Sequence, residues 1–136
     1  MTSEVSPAPA AGEPPVDVCV VDVCVVGAGV AGAVAARRLH DAGLRVLTLD
    51  KARGVGGRMA TRRLEGAVLD HGAQFFTTPD PLVAAMVAEW ERAGAVVPWF
   101  EGRLLPDGGR ADDGHPRWRG ATGMTAVAKH LLAPVP

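Results

Sequence analysis

The chain has 136 residues, is 48% hydrophobic and carries a formal net charge of -1. That length holds one domain with a modest core, and the near-neutral charge gives no general attraction to nucleic acid or to acidic membrane surfaces. No apolar run approaches the length of a membrane span, and the scattered histidines (His40, His71, His115, His130) show no metal-ligand spacing, so no metal centre is expected.

Residues 1–16 are rich in Pro, Ala and Ser, lack the basic and apolar regions of a secretory signal, and are expected to form a disordered tail. Next comes DVCVVDVCVVGAGVAG, in which the pentapeptide DVCVV is written twice, at 17–21 and at 22–26. Only the second copy abuts the glycine-rich loop, so 22–26 is the predicted first strand, a β-branched run of the kind buried on both faces of a parallel sheet. The first copy reads as a tandem duplication that prolongs the way into the strand or stays in the tail; a dimerising edge strand is the alternative. Cys19 and Cys24 are five residues apart, on opposite faces if both copies form one extended strand, where no disulfide joins them. Both are expected as buried free thiols of a cytoplasmic protein.

Gly27-Ala28-Gly29-Val30-Ala31-Gly32 fits G-x-G-x-x-G. In that pattern the first glycine allows the tight turn, the second lets a pyrophosphate approach the backbone, and the third lets the helix pack close to the strand. Residues 33–40 (AVAARRLH) are the predicted helix, with Arg37, Arg38 and His40 suited to the negative end of its dipole, and Gly43 closes it. Residues 45–49 (RVLTL) form a second strand ending at Asp50, with Lys51 beside it. Asp50 follows the loop by about 20 residues, the place of a carboxylate that accepts hydrogen bonds from an adenosine ribose. Strand, loop, helix, strand and acid in this order point to dinucleotide binding; a glycine-rich turn in an unrelated αβ unit is the alternative.

The chain after Asp50 bears on which dinucleotide. A simple nicotinamide dehydrogenase proceeds to another helix and strand, whereas DKARGVGGRMATRR brings a second glycine pair, Gly56-Gly57, followed by Arg58. Those glycines let the chain run along a pyrophosphate and flavin, and Arg58 offers a fork of donors. A glycine-rich surface loop with a solvated basic cluster (Arg53, Arg62, Arg63) explains the stretch equally well. Residues 69–76 read as a short strand-like passage in which Gly72 marks a close backbone approach. Phe75 and Phe76 are expected in the core. His71 is expected as a buried, hydrogen-bonded structural residue, because hydride transfer to a flavin needs no dedicated base.

Asp80 and Pro81 open a further helix as N-cap and first-turn residue. Leu82, Val83, Met86, Val87 and Trp90 are its core stripe, and Gly94 ends it. Residues 96–105 (VVPWFEGRLL) read as strand and turn, and 106–114 (PDGGRADDG) as an exposed hairpin loop or linker. One Trp between two arginines at Arg117-Trp118-Arg119 is too little for a nucleic-acid site.

GAGVAG with Asp50, RGVGGRMATRR, and DHGAQFFT at 70–77 together resemble the N-terminal part of the renalase-like flavoproteins, in the amine-oxidase superfamily of FAD-dependent oxidoreductases. The resemblance runs from about residue 22 to about residue 132. It implies an α/β fold of the doubly wound, Rossmann type and noncovalent FAD. Gly27, Ala28, Gly29, Val30, Ala31 and Gly32 would surround the pyrophosphate, and Asp50 with Lys51 would lie on the adenosine side. Gly57 and Arg58 would lie on the phosphate and flavin side, and the backbone of Gly72, Ala73 and Gln74 would pass close to the isoalloxazine ring. The implied activity is oxidation of a small-molecule substrate, an amine or a dihydronicotinamide, by hydride transfer to flavin and reoxidation by oxygen; catalytic residues are left unassigned. Gly123-Met124-Thr125 is similar to the family's glycine-methionine helix start, with Thr122 where the family usually has Pro. The expected organisation is an FAD-binding domain over 17–95, the start of an inserted substrate domain at 96–120 and a return helix at 121–136. Family members are much longer, so the chain is expected to be incomplete at its C-terminus, with open sheet edges that favour self-association. An NAD(P)-binding reductase and a truncated, inactive dinucleotide-binding module are the alternatives.

Overall fold

The structure is a computed structural model that describes residues 20–136. The tail, Cys19 and all but the last two residues of the first DVCVV copy lie outside the described residues. In chain order come β1 (Val23–Val26), α1 (Val30–Asp41), β2 (Val46–Leu49), a 3-10 turn (Gly57–Met59), β3 (Thr61–Leu64), β4 (Ala67–Asp70), α2 (Pro81–Arg92), β5 (Val96–Leu104), β6 (Arg110–Gly120) and α3 (Thr125–Leu132). The strands form three pairs: β1 with β2 parallel, β3 with β4 antiparallel and β5 with β6 antiparallel. The parallel pair runs from Val23 opposite Val46 to Val26 opposite Leu49. Parallel neighbours need a crossover, and α1 supplies it.

Ala33 of α1 packs with Val127, Ala128 and Leu131 of α3, Val87 and Trp90 of α2, and Ala95 and Val96 at the start of β5. Small residues on α1 let α3 come close. Met59, Phe76, Met86 and Trp118 pack at the margin of this cluster.

Several sequence expectations need correction. The strand β1 is not buried on both faces: Val25 lies against Gly32 of α1, but Cys24 is exposed and Val26 is 85% exposed. An apolar β-branched run marks a strand without saying how many layers cover it, and so the buried thiol expected at Cys24 is an open one. The helix α1 starts at Val30, not residue 33, because the first turn of the helix is part of the glycine motif itself. The strand expected at 69–76 lies instead at Ala67–Asp70, paired with β3 around Glu65 and Gly66, both of positive φ (48° and 85°) as a two-residue hairpin turn requires. Phe76 joins the β5–β6 hairpin through an isolated pairing with Trp118. Residues 110–114 belong to β6, not to a loop, because the turn closes earlier: Leu105 N–H donates to the Gly109 carbonyl (2.8 Å), and the Asp107 carboxylate accepts from Gly109 N–H (2.9 Å).

Asp80 caps α2 as expected, accepting from the N–H groups of Leu82 (2.8 Å) and Val83 (3.2 Å), with Pro81 in the first turn. Of the α2 stripe, Val87 and Trp90 are buried, whereas Leu82 is 78% exposed and Val83 is also exposed. The first turn overhangs the core, and Val83 lines an open groove with Met86, Trp90 and Val34. Among the described residues no helix is long and apolar enough to cross a membrane.

The start of α3 has no side-chain cap of its own. Asp70, at the end of β4, supplies one from afar: its Oδ1 accepts from Met124 N–H (2.9 Å) and from the Thr61 hydroxyl (2.5 Å). Thr61 and Thr125 exchange bonds, Thr61 N–H to Thr125 Oγ1 (2.6 Å) and Thr125 N–H to Thr61 Oγ1 (3.0 Å). This lock ties the β3–β4 hairpin to α3, and a carboxylate suits the positive end of a helix. Asp70→Ala should therefore lower unfolding stability by about 1.5–3 kcal/mol, the worth of hydrogen bonds to a charged group. Urea unfolding checks this, and wild-type stability in the variant would contradict the lock.

Candidate dinucleotide site

Three backbone segments meet at the loop end of β1. Gly27 turns the chain with φ of 109°, and its N–H donates to the Leu49 carbonyl (2.7 Å), fixing the loop to the end of β2. A Cβ on Gly32 would fall on the Gly27 carbonyl oxygen, so this position holds the helix against the loop. The flank beside Gly27 and Gly29 is open: a Cβ at either would meet nothing within 4 Å. Gly29 precedes α1 without a side-chain cap, and no acidic residue stands in the first turn of the helix. No side chain takes the N–H groups of that turn, the disposition of a helix start that can receive an anion.

The second segment lies directly on the first. Gly56 N–H donates to the Ala28 carbonyl (2.8 Å), Gly29 and Gly56 pair as a parallel bridge, and a Cβ on Gly57 would stand 3.2 Å from Gly29 Cα. The third segment lies on the second. Ala73 N–H donates to the Arg58 carbonyl (2.9 Å), and a Cβ on Gly72 would fall on that same oxygen.

Asp50 does more than stand at the end of β2. Its Oδ2 accepts from Ala28 N–H (2.6 Å) and its Oδ1 from Ala52 N–H (2.7 Å). These bonds, that to Ala52 foremost, hold its carboxyl below the usual range. A carboxylate has about four lone-pair sites, so two acceptances leave room for ligand hydroxyls. Spacing marks Asp50 only as a candidate ribose ligand; its bracing of the loop rests on contacts that spacing does not encode.

Beside Asp50 lies a cavity of about 270 Å³ lined by Ala28, Thr48, Arg53, Val55 and Leu132. Thr48 Oγ1 is buried with no hydrogen-bond partner. The one signal for it in the sequence is a hydroxyl residue inside the otherwise apolar β2. An orphaned polar atom, an uncapped helix start and the open flank of Gly27 and Gly29 together fit the polar groups of a dinucleotide.

The structure thus brings together Gly27 to Gly32, Asp50, Gly57, Arg58, Gly72 and Ala73. The side chains of Lys51, Arg58 and Gln74 are exposed and make no hydrogen bond among the described residues. His71 corrects its expectation: it is exposed, because it lies in the open segment after β4 and not within a strand.

A family profile described as NAD(P)-binding Rossmann-like domain matches residues 25–90, the span that contains the first two segments and the third. The fold is of the Rossmann type, mixed α/β. Among solved structures, a wild-type putrescine oxidase with putrescine bound is similar at 33% identity and a TM-score of 0.47, over 68% of this chain and 21% of that one. A fatty acid isomerase from P. acnes is similar at 24% identity and a TM-score of 0.45, over 62% of this chain and 19% of that one. The chain spans about a fifth of the length of these solved structures.

The Asp50 brace has a defined pH dependence. Its pKa in the fold lies below the ordinary 3.8, so the brace is complete above that value and is lost as pH falls through the lower folded value. In an NMR titration the Ala28 and Ala52 amide resonances should stay constant from neutral pH downward and move with a midpoint below 3.8. A midpoint above 3.8 for either amide would contradict the brace.

Proposed function

We propose that the chain is the cofactor-binding portion of an FAD-dependent oxidoreductase of the renalase-like kind, acting on an amine or a dihydronicotinamide as its small-molecule substrate. One observation carries the reading: the Gly56–Arg58 stretch folds back onto the phosphate loop, and the Gly72–Ala73 backbone lies on Arg58. Three successive glycine approaches suit a ligand that runs past all of them, as FAD would, better than one held at the first alone. FAD, when bound, supplies a two-electron acceptor for a substrate hydride and passes the electrons to oxygen.

The residues of the chain then have separate tasks. Amides at the start of α1 hold the pyrophosphate at the positive end of the helix dipole. Asp50 accepts from ribose hydroxyls while bracing Ala28, and its charge disfavours a 2′-phosphate there. Arg58 offers a guanidinium to phosphate. The Gly72–Gln74 backbone lies where a ring could rest with no side chain in the way.

The alternative is a nicotinamide-binding reductase, which the description of the family profile favours. Titration of the chain with FAD, NAD and NADP, followed by flavin fluorescence and by calorimetry, separates the two. FAD should bind most tightly and NADP most weakly; a preference for either nicotinamide dinucleotide would sink the flavin reading. Gly29→Ala is the sharper probe, because its new methyl group meets nothing in the fold yet stands where a pyrophosphate would approach. That variant should keep its unfolding midpoint and lose FAD affinity about tenfold or more, a difference of about 1.4 kcal/mol. Unchanged affinity would place the pyrophosphate elsewhere.

A further inference from the structure

We infer that Arg117 is a positioning residue which, through the ring of Phe75, fixes the Gly72–Gln74 backbone that faces the flavin. The inference rests on the FAD reading above for the word flavin, but its geometry stands independently.

Arg117 lies on β6 and is 8% exposed. Its two terminal nitrogens donate to the two carboxylate oxygens of Asp113, each at 2.6 Å, and one also donates to the His115 carbonyl (2.5 Å). The same guanidinium stands 5.9 Å from the ring centroid of Phe75 and 5.9 Å from that of Phe100. Phe75 meets Phe100 edge-on at 5.5 Å and Trp99 at 6.2 Å, and Trp99 meets Phe100 at 5.0 Å. A planar cation held by a bidentate carboxylate thus lies beside a surface cluster of rings, in which Phe75 is 41% exposed and touches Phe100 and Trp99.

Phe75 is the residue after Gln74, so holding its ring restrains the three residues before it. Next to it, Phe76 and Trp118 exchange backbone hydrogen bonds of 3.0 and 2.9 Å. The segment from 72 to 76 is therefore held at both ends, by the Arg58 carbonyl through Ala73 and by the β5–β6 hairpin through Phe75 and Phe76. Gln74 lies exposed between the two anchors. Each partner favours the charged form of the other: Arg117 holds the Asp113 carboxyl well below the usual carboxylate range, and Asp113 raises the Arg117 pKa.

An arginine suits this place and a lysine does not, because only the guanidinium is flat enough to lie against rings while donating in parallel to a carboxylate. Stability alone cannot reveal the role. Removing Arg117 leaves the partly exposed Asp113 without its partner, so a loss of stability would follow whether or not Arg117 positions the segment. The position of the segment is what Arg117 should change.

The test is amide hydrogen exchange together with the spectrum of bound FAD, in Arg117→Leu and Arg117→Lys. Arg117→Leu should lower protection of the Ala73 amide at least tenfold, leave Leu131 in α3 unchanged, and shift the visible absorption band of bound flavin. Arg117→Lys should fall between that variant and the wild type. Unchanged Ala73 protection would overturn the proposal, and lost protection with an unshifted flavin band would overturn its action on the cofactor. Should wild type and variants alike take up no FAD, the flavin reading fails while the Ala73 result still decides the latch. If Arg117→Leu does not fold, Phe75→Leu removes the ring, keeps the Asp113 pair, and should give the same loss at Ala73; its absence would again overturn the proposal.

Discussion

Two stretches of backbone, 28–29 and 56–57, lie side by side with no side chain between them, and the rest of the site follows from that approach. Glycine makes it possible. A Cβ at Gly57 would press on Gly29, one at Gly72 would fall on the Arg58 carbonyl, and one at Gly32 would fall on the Gly27 carbonyl. With the two approaches between segments sealed by main-chain hydrogen bonds, from Gly56 to Ala28 and from Ala73 to Arg58, three segments far apart in sequence become one surface. Such a surface presents amides and carbonyls to a ligand, not side chains. Phosphates and flat rings are the groups that backbone of this kind can approach closely.

Carboxylates hold this backbone in place from behind. Asp80 caps α2 from the residue before it, as helix caps ordinarily do. The other two helices are served from a distance: Asp50 grips Ala28 just ahead of α1, and Asp70 grips Met124 just ahead of α3. The difference matters for α1. Because Asp50 bonds the residue two places before the helix, it steadies the loop without consuming the first-turn amides, which stay open to an anion. At α3, by contrast, Asp70, Thr61 and Thr125 take up the amides of the helix start themselves. The same device leaves one helix start open and closes another.

What could be read from the sequence was what depends on near neighbours. The glycine motif between two β-branched runs, the helix after it, Asp50 at the end of β2 and the Asp80-Pro81 helix start are all local patterns with local causes. What could not be read depends on partners far along the chain. Asp70 gave no sign that it meets Met124, because nothing in the intervening residues encodes that meeting. The polar stretch TRRL at 61–64 showed no alternation strong enough to declare β3, although Glu65-Gly66 was a turn signal that could have found the hairpin. Apolar content misled at β1 and at the first turn of α2: Cys24, Val26, Leu82 and Val83 have the character of core residues and stand exposed. Nothing around Arg117-Trp118-Arg119 in the sequence encodes the contacts of Arg117 with Phe75 and Phe100, which depend on the pairing of β6 with β5.

The central claim is that the three glycine-bearing segments form a single ligand surface. Chemical-shift mapping of the isotopically labelled chain during addition of FAD tests it most directly. The expected result is that the amides of residues 28–31, 56–58 and 72–74 move together and follow one saturation curve. Movement confined to 28–31, with 56–58 and 72–74 unchanged at saturation, would contradict it.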